Sequence, residues 1–324
     1  MAIITLRESI TQAMREEMIR DENVFIMGCD VGLRGNPFGI TKGLMKEFGE
    51  RRVLDTPISE AGFTGLGVGA AIAGMRPLVE ILYDDWITLP MDTIVNTAAK
   101  TSYMFGGQAS VPIVIRAPFG VGGGVAAQHS QNNENWFVHV PGLKVITPST
   151  PYDMKGLLKS AIRDNNPVLC FEHKRNYSLK GEVPDGEYLI PIGKACVRKE
   201  GKDCTIVTYS YMTYVAEEAA KDLEKEGISC EIIDLRSLLP LDYDTVMESV
   251  AKTSRVVVVT EAPLRGSITG EIVGEIIARG FDLLDAPPER VGSRNSPVPY
   301  NEALEALCTP KKEDIAEAVR KTFK

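Results

Sequence analysis

The chain has 324 residues, 44% of them hydrophobic, with 36 lysines and arginines against 44 aspartates and glutamates, a formal net charge of -8. This length and balance suit a soluble globular protein of two ordinary domains or one large α/β domain and argue against a basic nucleic-acid footprint or a polybasic membrane anchor. The uncharged run 61–75 is too short and too glycine-rich to span a bilayer, and Arg7, Glu8, Arg15, Glu16 and Glu17 stand where a signal peptide needs an apolar stretch, so a cytoplasmic protein is expected.

The pattern Thr5-x-x-Glu8 is a capping box, and Leu6, Ile10, Met14 and Met18 follow at helical spacing. Residues 24–27 form a short buried strand running into Gly28-Cys29-Asp30. Apolar runs at 76–83, 111–115, 145–147 and 167–171 predict further strands, with helices at 91–103 and 152–162 between them. Glycine, proline and charge then gather over residues 180–193, which marks a linker. Beyond it, strands are predicted at 204–209, 230–235 and 255–260, and helices at 215–225, 242–252, 268–278 and about 312–322. Alternation at this spacing implies two α/β/α domains with mainly parallel sheets, residues 1–186 and 187–324. Cys29, Cys170, Cys196, Cys204, Cys230 and Cys308 form no C-x-x-C pair, and only His129, His139 and His173 are available. Reduced, mostly buried thiols are therefore expected, not a disulfide frame or a zinc site.

Four segments invite a chemical reading. In Ile58-Ser59-Glu60-Ala61-Gly62-Phe63-Thr64-Gly65-Leu66-Gly67, one carboxylate heads a small, uncharged stretch. Poor solvation there suits it to proton donation, and helix capping is the alternative. Gly65-x-Gly67-x-x-Ala70, with Asp84 and Asp85 further on, fits the loose dinucleotide fingerprint of a nicotinamide-dependent reductase. No strand leads into those glycines, however, and close helix packing explains them more simply. Gly120-Val121-Gly122-Gly123-Gly124 follows a strand and delivers Gln128 and His129 to the carboxyl edge of a sheet, unless it is only a flexible surface loop. Ala161-Ile162-Arg163-Asp164-Asn165-Asn166-Pro167 reads as a turn whose clustered carbonyls and carboxylate also suit a hard or monovalent cation.

Asp55-Thr56-Pro57-Ile58-Ser59-Glu60-Ala61-Gly62, Ala127-Gln128-His129-Ser130-Gln131, Pro141-Gly142-Leu143-Lys144-Val145 and the segment 161–167 occur in one order along the chain. Together they resemble the β subunit of the decarboxylating first component of 2-oxo acid dehydrogenase complexes. The resemblance implies a pyrimidine-binding domain of a thiamine-diphosphate enzyme followed by a transketolase C-terminal-like domain. It implies that Glu60 activates the cofactor's aminopyrimidine ring, that Leu82 and Trp86 bind that ring, and that His129 meets substrate and an incoming lipoyl arm. Potassium is implied at Ile113, Ala161, Ile162, Asp164 and Asn166. No Gly-Asp-Gly with a following paired-asparagine segment occurs, so magnesium and the diphosphate are expected on an α subunit, in an α2β2 heterotetramer serving a lipoyl-bearing acyltransferase core. Cys29 departs from the usually acidic residue at its position. The segments 103–107, 150–153, 172–174, 177–178 and 181–184 resemble acetoin dehydrogenases more than pyruvate ones. Pyruvate and branched-chain 2-oxo acid dehydrogenases are the alternatives. So are a split transketolase, for which Arg116 and Arg175 offer phosphate ligands, and a non-catalytic scaffold docking through its C-terminal domain.

Overall fold

The computed structural model describes residues 1–324, which divide into two compact units: residues 1–119 with 136–192, and residues 120–135 with 193–324. In the first unit Thr5 and Glu8 close the predicted capping box: Thr5 Oγ1 accepts from Glu8 N at 3.3 Å, and the Glu8 carboxylate accepts from Thr5 N at 2.7 Å. The helix Leu6–Arg20 then buries Leu6, Ile10, Met14 and Met18 in one core with Leu157, Leu158 and Ile162 of the helix Pro151–Arg163.

Beneath these helices run Lys144–Ile146, Val168–His173, Val114–Phe119, Arg76–Glu80, Val24–Gly28 and Val53–Asp55, side by side in that order and all parallel. Their apolar residues run almost unbroken because both faces are covered. From Val24–Gly28 the chain steps outward to Val53–Asp55 and then returns to Arg76–Glu80 on the other side. This reversal is a topological switch point, where α/β sheets leave a crevice beyond the strand carboxyl ends. The loops after Gly28 and Glu80 open there.

In the second unit Glu289–Ser293, Val256–Pro263, Cys204–Thr208 and Cys230–Asp234 are parallel in that order, with Cys196–Lys199 antiparallel at the edge. Ile206, Ile232, Val257 and Val259 pack with Ala216, Ala220 and Leu223 of the helix Met212–Glu224 and with Ile315 and Val319 of the helix Lys312–Lys321.

The expected linker is partly ordered structure. Lys180–Val183 pairs antiparallel with Ala2–Thr5, and the units part at residue 192, not 186. A two-stranded ribbon needs backbone bonds more than side chains, so its half-exposed, charged sequence carries little strand signal. The predicted helix at 91–103 is a π-helical turn, Thr93–Ala98, continued by the α-helix Ala99–Met104. All six cysteines are free, and no helix is long and apolar enough to cross a membrane.

Candidate active site

Glu60 is the first residue of the helix Glu60–Ile72, which begins a short turn after the strand Val53–Asp55. Its side chain is only 8% exposed, and Ser59, the N-cap, makes no side-chain capping bond. The position favours an anion through the helix's N-terminal N–H groups, so the capping contribution is real. Burial at the sheet's carboxyl edge is the feature that capping does not require. Gly67, two turns further in, faces the sheet: a Cβ there would lie 2.8 Å from Val79 Cγ2 and 3.3 Å from Ile113 Cδ1. The glycines of Gly65-x-Gly67-x-x-Ala70 thus lie within a helix and form no strand-to-helix phosphate turn, which removes the reductase reading.

Asp55 ties the neighbouring loop down, accepting from Gly32 N at 2.6 Å and Leu33 N at 3.2 Å. Cys29, on that loop, donates to Pro57 O at 3.5 Å. Burial pushes its thiol up, Thr56 opposes this, and Glu60 adds to it. The group at this position therefore remains a neutral thiol near neutral pH. Across the switch point, Leu82 and Trp86 are both half-buried, and Trp86 sits on the single turn Asp84–Thr88, where Trp86 N bonds Tyr83 O at 2.9 Å. Glu60, Leu82 and Trp86 thus belong to segments that leave the carboxyl ends of neighbouring strands in one unit.

Sequence reasoning missed the charged cluster below this edge. Arg116 bonds Glu172 through Nε at 2.6 Å and Nη2 at 2.9 Å, and Glu80 through Nη1 at 2.8 Å. All three side chains are 2% exposed or less. Asn36 donates to both Glu80 oxygens at 2.9 and 3.0 Å, and its own Oδ1 accepts from Phe38 N and Ile40 N, so the cluster pins the loop that follows Gly28. Tyr177 Oη donates to Glu172 at 2.9 Å. Burial pushes the Glu80 carboxyl up, although Arg116 and Asn36 pull it down. The signal was present as three charges inside apolar runs of adjacent strands. Arg116 is consumed by this cluster, which withdraws it as a phosphate ligand for a sugar-phosphate enzyme.

His129 lies on the loop of the second unit. The loop is secured by Gly120 N to Gln131 O at 3.0 Å, Val121 N to Glu261 Oε2 at 2.9 Å and Gly124 N to Glu305 Oε2 at 3.1 Å. The bland alternative of a loose surface loop is therefore not what is seen. His129 itself is half-buried, whereas His139 is exposed. His173 is buried, accepts from Arg175 N at 3.2 Å and packs edge-on against Phe119.

At the 161–167 turn the Ile162 and Asp164 carbonyls converge on one nitrogen, Arg76 Nη1, at 2.9 and 3.0 Å. Lys144 pairs with the Asp164 carboxylate, which also accepts from Asn166 N at 2.8 Å. The Ile113 carbonyl accepts from Val168 N and that of Ala161 from Asp164 N. Each carbonyl keeps a second lone pair, so the donor set has the neutral-oxygen chemistry of a monovalent-ion site. Two side-chain cations already neutralise the corner. Gly142 in the nearby Pro141-Gly142 segment is a packing requirement: at φ +99° a Cβ would lie 2.0 Å from Ala99 O.

Residues 2–180 match the family described as transketolase, pyrimidine binding domain, and residues 193–315 match transketolase, C-terminal domain. The β subunit of acetoin:2,6-dichlorophenolindophenol oxidoreductase of Cupriavidus necator is 48% identical, over 99% of this chain and 98% of its own. The β subunit of the pyruvate dehydrogenase E1 component of Rickettsia felis is 47% identical over 98% of each. The chain belongs to the E1 β-subunit family of 2-oxo acid and acetoin dehydrogenases. As such an E1 β subunit it is part of a thiamine-diphosphate-dependent oxidoreductase. The fold agrees. A split-gene transketolase, described as an inactive beta4 tetramer, superposes with a TM-score of 0.80 over 98% of both chains at 24% identity. A transketolase mutant from Pichia stipitis superposes with 0.71 over 99% of this chain and 46% of its own, at 16% identity.

The acetoin-like segments hold structural positions. Thr150 caps the helix Pro151–Arg163, Tyr152 stacks on Tyr188 with ring centroids 4.7 Å apart, and Tyr177 bonds Glu172. Tyr103 is 89% exposed on the surface.

Proposed function

We propose that this E1 β subunit works with an α subunit, in a cytoplasmic α2β2 assembly, on acetoin, and passes the acyl unit to a lipoyl group on an acyltransferase core. The buried Glu60, placed beyond the carboxyl edge of a parallel sheet, carries the reading. Bound thiamine diphosphate supplies the carbon nucleophile and electron sink for breaking a bond beside a carbonyl. Glu60 would hydrogen-bond the ring nitrogen of the aminopyrimidine and pass a proton to it. Leu82 and Trp86 offer the apolar and aromatic surface that the ring packs on and keep water from it. His129 exchanges a proton with substrate or lipoyl sulfur. The α subunit holds magnesium and the diphosphate, for which this chain offers no cluster of three metal-ligating side chains.

Potassium enters only as a structural ion at Ile113, Ala161, Ile162, Asp164 and Asn166, sharing the Ile162 and Asp164 carbonyls with Arg76. The thermal midpoint of the assembled enzyme is then expected to be higher in KCl than in choline chloride at equal ionic strength. Equal midpoints would remove the ion.

A pyruvate enzyme is the second reading, favoured by the 47% identity to a pyruvate dehydrogenase subunit. Co-expression with the α-type partner, followed by thiamine-diphosphate-dependent dye reduction with acetoin, pyruvate and branched 2-oxo acids, separates the two. Acetoin is expected to be fastest. Faster turnover of pyruvate overturns the substrate, and no cofactor-dependent reduction with any of them overturns the function.

A further inference from the structure

The loop that carries His129 ends on a buried acid that the reaction does not use. Glu134 opens the short helix Glu134–Phe137 and is fully buried. Its Oε1 accepts from Tyr209 Oη at 2.7 Å and from Asn135 Nδ2 at 2.9 Å, while Oε2 is buried with no hydrogen-bond partner. Tyr209 Oη also contacts Thr260 Oγ1 at 2.7 Å, on the strand Val256–Pro263. The next residue of that strand, Glu261, accepts from Val121 N at the loop's other end. Asn135 Oδ1 accepts from Ile268 N at 2.7 Å, so the closing end of the loop is fastened twice.

We propose that Glu134, held by Tyr209 (itself bonded to Thr260) and Asn135 and facing Glu261, is the positioning residue of the His129 loop, and that ionisation of Glu134 releases the loop. The geometry favours the neutral acid. A carboxylate needs donors on both oxygens, and only Oε1 has them. The titratable groups facing it are Tyr209, which follows the strand Cys204–Thr208, and Glu261, from the strand Val256–Pro263. Burial pushes Glu134 up to about 7, Tyr209 opposes this, and the like charge of Glu261 adds to it. The sign follows from the folded value lying above the ordinary 4.5. Stability from the protonated form is complete below 4.5 and is lost as pH rises through about 7. An opening that returns Glu134 to water therefore becomes more favourable as the pH rises over that window.

The functional side of this inference rests on the role proposed for His129; the structural side does not. Hydrogen exchange of residues 120–133 in the assembled enzyme, corrected for intrinsic rates, is expected to accelerate on the order of tenfold or more between pH 5.5 and 8. In Glu134→Gln, which cannot ionise, that acceleration is expected to vanish. Should this variant fail to fold, Tyr209→Phe removes a donor that favours the anion, and the midpoint of the acceleration is expected to move upward. Acceleration unchanged in Glu134→Gln, absent from the natural protein, or shifted downward in Tyr209→Phe overturns the proposal. A loop released as expected while turnover stays constant across the same pH range upholds it and overturns the His129 assignment.

Discussion

Glu60→Gln in the assembled enzyme is expected to lower turnover about 10²- to 10⁴-fold, the usual worth of a positioned proton-transfer group. The amide is isosteric and still offers hydrogen-bonding atoms at the start of the helix Glu60–Ile72, so folding and assembly are expected to survive. What it loses is the acidic proton. The two readings of Glu60 separate here. A carboxylate valued only for its place at the helix N-terminus contributes about 0.3–1 kcal/mol to stability, and its removal leaves chemistry untouched. Steady-state rates together with the thermal midpoint of the variant decide between them. A midpoint lowered by a few degrees with most activity retained would reduce Glu60 to a capping residue.

Arg116→Met is expected to destabilise the protein by about 3–5 kcal/mol, because it leaves Glu80 and Glu172 buried without their counter-charge. Equilibrium unfolding in urea reads this directly. Lost Asn36 anchoring is expected to follow, since Asn36 reaches the core through Glu80 alone among the three charges. The two carboxylates are not equivalent. Glu172 takes Nε and Nη2 of the guanidinium and the Tyr177 hydroxyl, whereas Glu80 takes Nη1 alone. One cation also faces two anions, and burial pushes Glu80 up. Stability tied to Glu80's proton is present below the ordinary carboxylate range and is lost as pH rises through its raised value. Glu80→Gln, which removes the surplus charge, is therefore expected to cost less than Glu172→Gln. The reverse order would show that Glu80, not Glu172, is the principal partner of Arg116.

Much of this was legible in the residues. The capping box at Thr5 and Glu8, the period of Leu6, Ile10 and Met14, and the valine run of Val256–Pro263 each state their structure locally, because local hydrogen bonding and burial decide them. The strand Lys180–Val183 was not legible, because an exposed edge ribbon draws on backbone bonds with Ala2–Thr5, which lie far away in sequence. The charged cluster was half legible: Glu80, Arg116 and Glu172 stand out as charges in apolar runs, yet only the strand order makes them neighbours. Glu134 shows the same limit. Its sequence context, Asn132-Asn133-Glu134-Asn135, reads as a polar turn, and the Tyr209 hydroxyl that it accepts from lies 75 positions away. Glu60 lies between these cases, since its helix start was readable and its burial was inferred correctly from the small, uncharged residues after it.

Activation of the cofactor by Glu60 is tested, without reference to any substrate, by the exchange of the thiamine C2 proton with solvent. With thiamine diphosphate bound to the assembled enzyme, quenched-flow deuterium exchange is expected to be fast in the natural protein. In Glu60→Gln it is expected to be about 10²- to 10⁴-fold slower at undiminished cofactor occupancy. Equal exchange rates in the two proteins would contradict the account.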